Sequence, residues 1–304
     1  MRPLISALLA IVFSTLIAPP AYADYAKGME ALKRDDLAGA RAEFQKAAEG
    51  GDVRAYGPLA RTMLLTARSV ADLQAARQWA EKAAASGNAE AQFVYYTATV
   101  SLPQLNFVDQ QGKVNPQRYK ALAARPISER EDEMAAYDML GKSAAQNFPQ
   151  AMLYLAGFLG DNVGDGNRTR AITLLDKVGK IPPPFDALRK RLGLLEQLGP
   201  TLVTARIFDD AVATGRTAAL SAAAEKDRTK KDCQQVNPVR TQPLGAIEKA
   251  VWLPLAVPDL QRAYLMSGNW REIWTFDVCG AQTQVVLAFV ADGLGGATVS
   301  AVPR

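Results

Sequence analysis

The side chains with the most chemistry to offer fall in a few places along the 304 residues. Glu129, Glu131, Asp132 and Glu133 form an acidic run, and two carboxylates about 5–10 Å apart are the core requirement for glycoside hydrolysis. The run has a simpler reading. Ser128 followed three residues later by Glu131 is a capping box, and acidic side chains favour the first turn of a helix. Asp161-Asn-Val-Gly-Asp-Gly-Asn167 is oxygen-rich like the start of a calcium loop, but the closing position, which needs a bidentate Glu, is Ile172. A turn between helices is expected there. Asp292-Gly-Leu-Gly-Gly296 is glycine-rich like a phosphate cradle, yet a strand pattern follows it rather than a helix N-terminus, so a hairpin turn is expected. Trp252, Trp270 and Trp274 offer an aromatic platform for a ligand. Trp270 and Trp274, four apart in a strand, share a face, and core packing is expected for at least one of them.

Two numbers narrow the chemistry further. The chain has no histidine, which excludes Ser-His-Asp and Cys-His catalysis and His-liganded metal centres. It has two cysteines, too few for an all-Cys zinc site or an iron–sulfur cluster within one chain. In an exported protein, Cys233 and Cys279 are expected to pair as a structural disulfide. No catalytic, metal or cofactor residue is assigned, and a non-enzyme is expected.

Export is read from the first 23 residues. Arg2 precedes an apolar run from Leu4 to Ala18, Pro19 and Pro20 break it, and Ala21-Tyr22-Ala23 supplies a cleavage site. Asp24 is the expected mature start. The run falls short of the ~20 residues that span a bilayer, so the mature chain is expected to be periplasmic or secreted without stable membrane insertion. A net charge of +4 with no dense basic patch gives no sign of a nucleic-acid partner.

The elements that position these residues begin with a repeat. Lys46-Ala-Ala-Glu-Gly-Gly-Asp52 and Lys82-Ala-Ala-Ala-Ser-Gly-Asn88 match at an offset of 36. The full frame is Asp72, Ala76, Trp79, Ala83, Ala84, Gly87 and Ala91, with earlier copies at Asp36, Ala40, Ala47, Ala48, Gly51 and Ala55. Glu43 takes the Trp position. A later copy is Asp132, Ala136, Met139, Ser143, Ala144, Asn147 and Ala151, and a faint one begins at Asn167. Steps of three and four put the alanines on one helical face, Asp belongs at a helix start, and Gly or Asn stops the helix in a left-handed conformation. Helix pairs repeating at this period build a solenoid.

The pattern Asp-x3-Ala-x2-Trp-x3-Ala-Ala-x2-Gly-x3-Ala over 72–91 resembles the Sel-one-like repeat, a tetratricopeptide-related α/α unit. The resemblance covers roughly residues 24–180 and implies a scaffold that binds another protein. It departs at Ala67-Arg-Ser-Val70, where the family has a Gly-x-Gly-Val turn, and at an insertion over 102–127.

Past Pro182-Pro-Pro184, helices over Phe185–Gly199 and Leu202–Lys230 are expected to close the end of the stack, with a linker over 232–243. The pattern then turns to β: strands over Trp270–Cys279, Thr283–Ala291 and Ala297–Val302, a further one near Ile247–Leu255, and a covering helix after Pro258. The expected architecture is therefore a leader at 1–23, a mainly α repeat domain at 24–231 and a small antiparallel β domain at 232–304. The expected function is an exported, non-catalytic protein-interaction module. Arg54, Arg61, Tyr95 and Tyr96, on the first helices of two units, are its expected partner-binding residues. Two alternatives stand beside it: a carboxylate hydrolase of cell-wall material, and a small-ligand binder through the β domain.

Overall fold

A computed structural model describes residues 20–107, 115, 117, 121, 124–254, 264–293 and 295–302. Residues 1–19 of the leader, half of the insertion and the helix expected after Pro258 lie outside the described residues. The described chain has ten helices followed by a five-stranded antiparallel sheet. The helices are α1 (Pro20–Lys33), α2 (Leu37–Glu49), α3 (Tyr56–Thr66), α4 (Val70–Ala84), α5 (Ala89–Phe107), α6 (Glu131–Ala145), α7 (Pro149–Gly160), α8 (Asp165–Val178), α9 (Pro183–Leu198) and α10 (Phe208–Lys226). From α1 to α9 each helix packs on the next, and α3 also meets α5, as α7 meets α9.

The small residues of the frame are buried or end helices, while its acidic residues vary in place. Ala40, Ala47, Ala55, Ala76, Ala91, Ala136 and Ala151 are fully buried, letting helices approach closely. Gly51, Gly87 and Asn147, at equivalent places, have φ of +87°, +83° and +59° and end their helices. Asp36 caps α2 by accepting from the Gly39 N–H at 2.8 Å. Asp72 sits one turn further in: Ser69 is the N-cap, and the Asp72 carboxylate accepts from the Ser69 hydroxyl and the Arg68 N–H. The capping box expected at Ser128 is not formed. Arg130 occupies the N-cap of α6 without a side-chain capping bond, and residues 127–129 form a separate 3-10 turn.

The C-terminal strands are β1 (Val236–Pro243), β2 (Glu248–Leu253), β3 (Tyr264–Val278), β4 (Ala281–Ala291) and β5 (Ala297–Val302). Their order is β1-β3-β4-β5, and β2 pairs with the N-terminal part of β3. The stretch expected to be a linker thus contains a strand. Its two prolines obscure the pattern but are tolerated because β1 is an edge strand with a bulge between Pro238 and Arg240. Asp292–Gly296 turns the β4–β5 hairpin, with the Gly296 N–H donating to the Asp292 carboxylate at 2.9 Å. Cys233 and Cys279 are joined, with Cα atoms 6.0 Å apart.

The larger correction concerns α10. It does not close the helical stack but covers the sheet, burying Ala211, Gly215, Ala219 and Ala223, one residue per turn. A Cβ on Gly215 would lie 2.5 Å from the Phe276 ring, so only glycine admits this approach. Val163, Leu195 and Leu198, from the helical part, join the same core as Trp270, Trp274, Phe276, Leu287 and Phe289. The core of the sheet therefore extends well to the N-terminal side of residue 232.

Candidate binding face

Helix α7 is almost wholly apolar: Ala151, Met152, Leu153, Leu155, Ala156, Phe158 and Leu159 are buried. What remains outside, beyond Pro149 at the helix start, is one stripe, Gln150, Tyr154 and Gly157, stepping by four and three, and it runs toward half-buried Asp161 at the C-cap. Tyr154 is 42% exposed and anchors a row of rings along this side of the helices. Its centroid lies 5.2 Å from Phe93 and 6.2 Å from Tyr96 on α5, and 5.8 Å from Phe185 on α9. Phe148 extends the row at 5.6 Å from Phe93, and Tyr137 backs it at 5.6 Å from Tyr96. Edge-to-face geometry at the Phe93 and Tyr96 contacts suits the ring quadrupoles. Toward α3 the face continues as the Arg61–Glu90 ion pair, 3.1 Å long.

The stripe ends on a carboxyl in an unusual state. Burial pushes Asp161 up to about 6, while Arg206 and Arg191 pull it back down. Arg191 is itself paired with Asp209 at 2.7 Å.

Of the four residues expected to contact a partner, Arg61 lies on this face and is half exposed. Arg54 is committed elsewhere: it forms two bonds to the Asp52 carboxylate, at 2.7 and 3.0 Å, and stacks on the Tyr25 ring. Those bonds hold Asp52 below the usual carboxylate range. Tyr95 and Tyr96 are core residues, 5% and 7% exposed, and burial drives the Tyr96 hydroxyl upward. The correction follows from helix phase. Phe93 and Thr97 lie on the outer side of α5, and residues 95 and 96 face inward. Tyr154 and Phe185 escaped the sequence reading, although the break in α7's apolar run at Gln150 and Tyr154 marks its outer stripe.

No family model, curated protein or solved structure matches this chain.

The other candidates resolve into structural roles. Asp132 accepts two bonds from Arg77, at 2.9 and 3.0 Å, and Glu133 lies 3.4 Å from both Arg125 and Arg130. Among the described residues, no three His, Cys, Asp or Glu side chains group as metal ligands. Trp270 and Trp274 are both buried under α10, so they form no exposed platform. Between them lies a residue the sequence reading passed over. Glu272 is fully buried and accepts from the Thr201 hydroxyl (2.8 Å), the Leu202 N–H (2.6 Å) and the Trp274 indole N–H (3.0 Å). Burial raises its pKa, and these donors oppose the rise. Its carboxylate fastens the 200–205 segment, which connects the helices, to the sheet. The signal was available: alternation places Glu272 on the same strand face as the two tryptophans.

Proposed function

We propose that this chain is an exported, non-catalytic interaction protein whose Sel-one-like repeats stack as a solenoid and present the α3, α5, α7 and α9 face to a protein partner. The observation that carries the reading is the ring row Phe93–Tyr154–Phe185, which crosses three of these helices and opens to solvent at Tyr154. Aromatic side chains in such positions are the usual anchors of protein interfaces. The sequential packing of α1 to α9 supports the repeat reading. The disulfide supports an oxidising compartment, and among the described residues no helix is long and apolar enough to cross a membrane.

The test uses the full chain, because cutting at residue 231 would strip α10 of its sheet. A photo-cross-linking side chain at Gln150, beside Tyr154 on the exposed stripe, should capture a defined envelope protein in intact cells. Tyr154→Ala should weaken that capture several-fold while leaving the fold intact. Cross-links that arise only from the sheet, at Val290 for example, and never from Gln150 would refute this assignment.

A further inference from the structure

The face of the sheet turned away from α10 carries its own concavity. Alternation sends Trp274, Phe276 and Leu287 inward and leaves Ile273, Thr275, Gln282 and Gln284 outward. The bulge in β1 displaces Val239 and brings Arg240 opposite Thr275, which in turn pairs with Gln284 on β4. Gln242 pairs with Ile273 in the adjoining row. These residues line a pocket of about 290 Å³, near the lower end of small-molecule site volumes.

Two of its donors, Thr275 and Arg240, are open to a guest. Thr275 is only 7% exposed, it lines the pocket, and among the described residues its hydroxyl has no hydrogen-bond partner. Arg240 is exposed and, among the described residues, meets no carboxylate. Among the described residues the lining contains no acid. Asp277, further along the same face of β3, accepts from the Gly280 N–H at 2.7 Å. A guanidinium has five N–H donors and no acceptor, in a fork that matches a planar carboxylate. Glutamine amides and a threonine hydroxyl can both donate and accept, which suits hydroxyl groups. One cation balances one negative charge, whereas a phosphate at neutral pH carries up to about two.

We propose that this pocket is a binding site for a small hydroxylated carboxylate of monosaccharide size, with Arg240 on the carboxylate and Thr275, Gln242 and Gln282 on the hydroxyls. The site is on a different element from the helical face, and neither assignment depends on the other.

The probes are glucuronate, glucose and inorganic phosphate, titrated into the full chain by calorimetry or by amide chemical shifts. Glucuronate should bind saturably with Kd of about 1 mM or tighter. Glucose and phosphate should each bind roughly tenfold more weakly or not at all. Arg240→Gln should weaken glucuronate roughly tenfold or more. Thr275→Val should weaken it several-fold with an unchanged unfolding temperature, because among the described residues that hydroxyl holds no bond. Absence of saturable glucuronate binding overturns the site. Equal affinity for glucose, equal affinity in Arg240→Gln, or tighter phosphate binding overturns the carboxylate assignment.

Discussion

Asp161→Asn should make the protein more stable at neutral pH and less sensitive to pH. In the unfolded chain this carboxyl titrates near 3.8, and in the folded chain near 6. The folded state therefore holds the proton more tightly. The sign follows directly: stability is greatest below the unfolded value, falls as pH rises from about 4 to about 6, and stays reduced above that. A displacement of about two pH units corresponds to roughly 3 kcal/mol at pH 7, when the ionised group must remain desolvated with only distant help from Arg191 and Arg206. Asparagine keeps the shape, carries no charge, and is acceptable at the C-cap of α7. Urea unfolding at half-unit steps from pH 3.5 to 7.5 reads the effect. The wild-type curve should fall across the interval, and the variant's curve should be flatter by most of the ~3 kcal/mol. Glu272, raised in the same direction, should leave a residual slope in the variant. A variant that loses stability at pH 7, or one with an unchanged slope, would refute the account of Asp161 as a desolvated, only partly compensated acid.

Two further outcomes probe the C-terminal core. Gly215→Val should cost at least 1–3 kcal/mol in denaturant unfolding, since its Cβ meets the Phe276 ring at 2.5 Å and the helix cannot move off the sheet without opening the core. An effect under about 0.5 kcal/mol would mean α10 does not pack as described. Paired Cys233→Ser and Cys279→Ser replacements should destabilise by up to about 4 kcal/mol, because the bridge closes a separation of 46 residues. An unchanged unfolding midpoint under oxidising conditions would contradict a stabilising role.

Helix phase and strand alternation were legible wherever one face of an element is apolar and the other polar. The frame of small residues located the buried alanines and the left-handed caps at Gly51, Gly87 and Asn147, because a single backbone conformation demands those residue types. The strands after residue 264 follow a period of two closely enough to be placed in advance. What stayed hidden depends on long-range partners. Nothing local in Phe208–Lys226 distinguishes a helix that caps a stack from one that lies on a sheet; its row of Ala and Gly suits either neighbour. β1 was masked by Pro238 and Pro243, whose meaning depends on the strand being at an edge. Tyr95 and Tyr96 were misjudged because one step of 100° decides whether an aromatic faces a partner or the core. The row on α5, α7 and α9 joins residues 93, 154 and 185, a juxtaposition created only by packing.

The placement of α10 has a consequence in time. A chain made and moved from its N-terminus delivers Ala211, Gly215, Ala219 and Ala223 about 60 residues ahead of Phe276 and Leu287, the side chains they pack against. During that interval the helix has nowhere to bury its inner stripe, and Leu195 and Leu198 wait with it. The last strands synthesised thus decide whether a helix made long before them becomes interior or remains a sticky surface. A premature stop inside β4 would leave every described helix present and an unfinished core for quality-control proteases and chaperones to find.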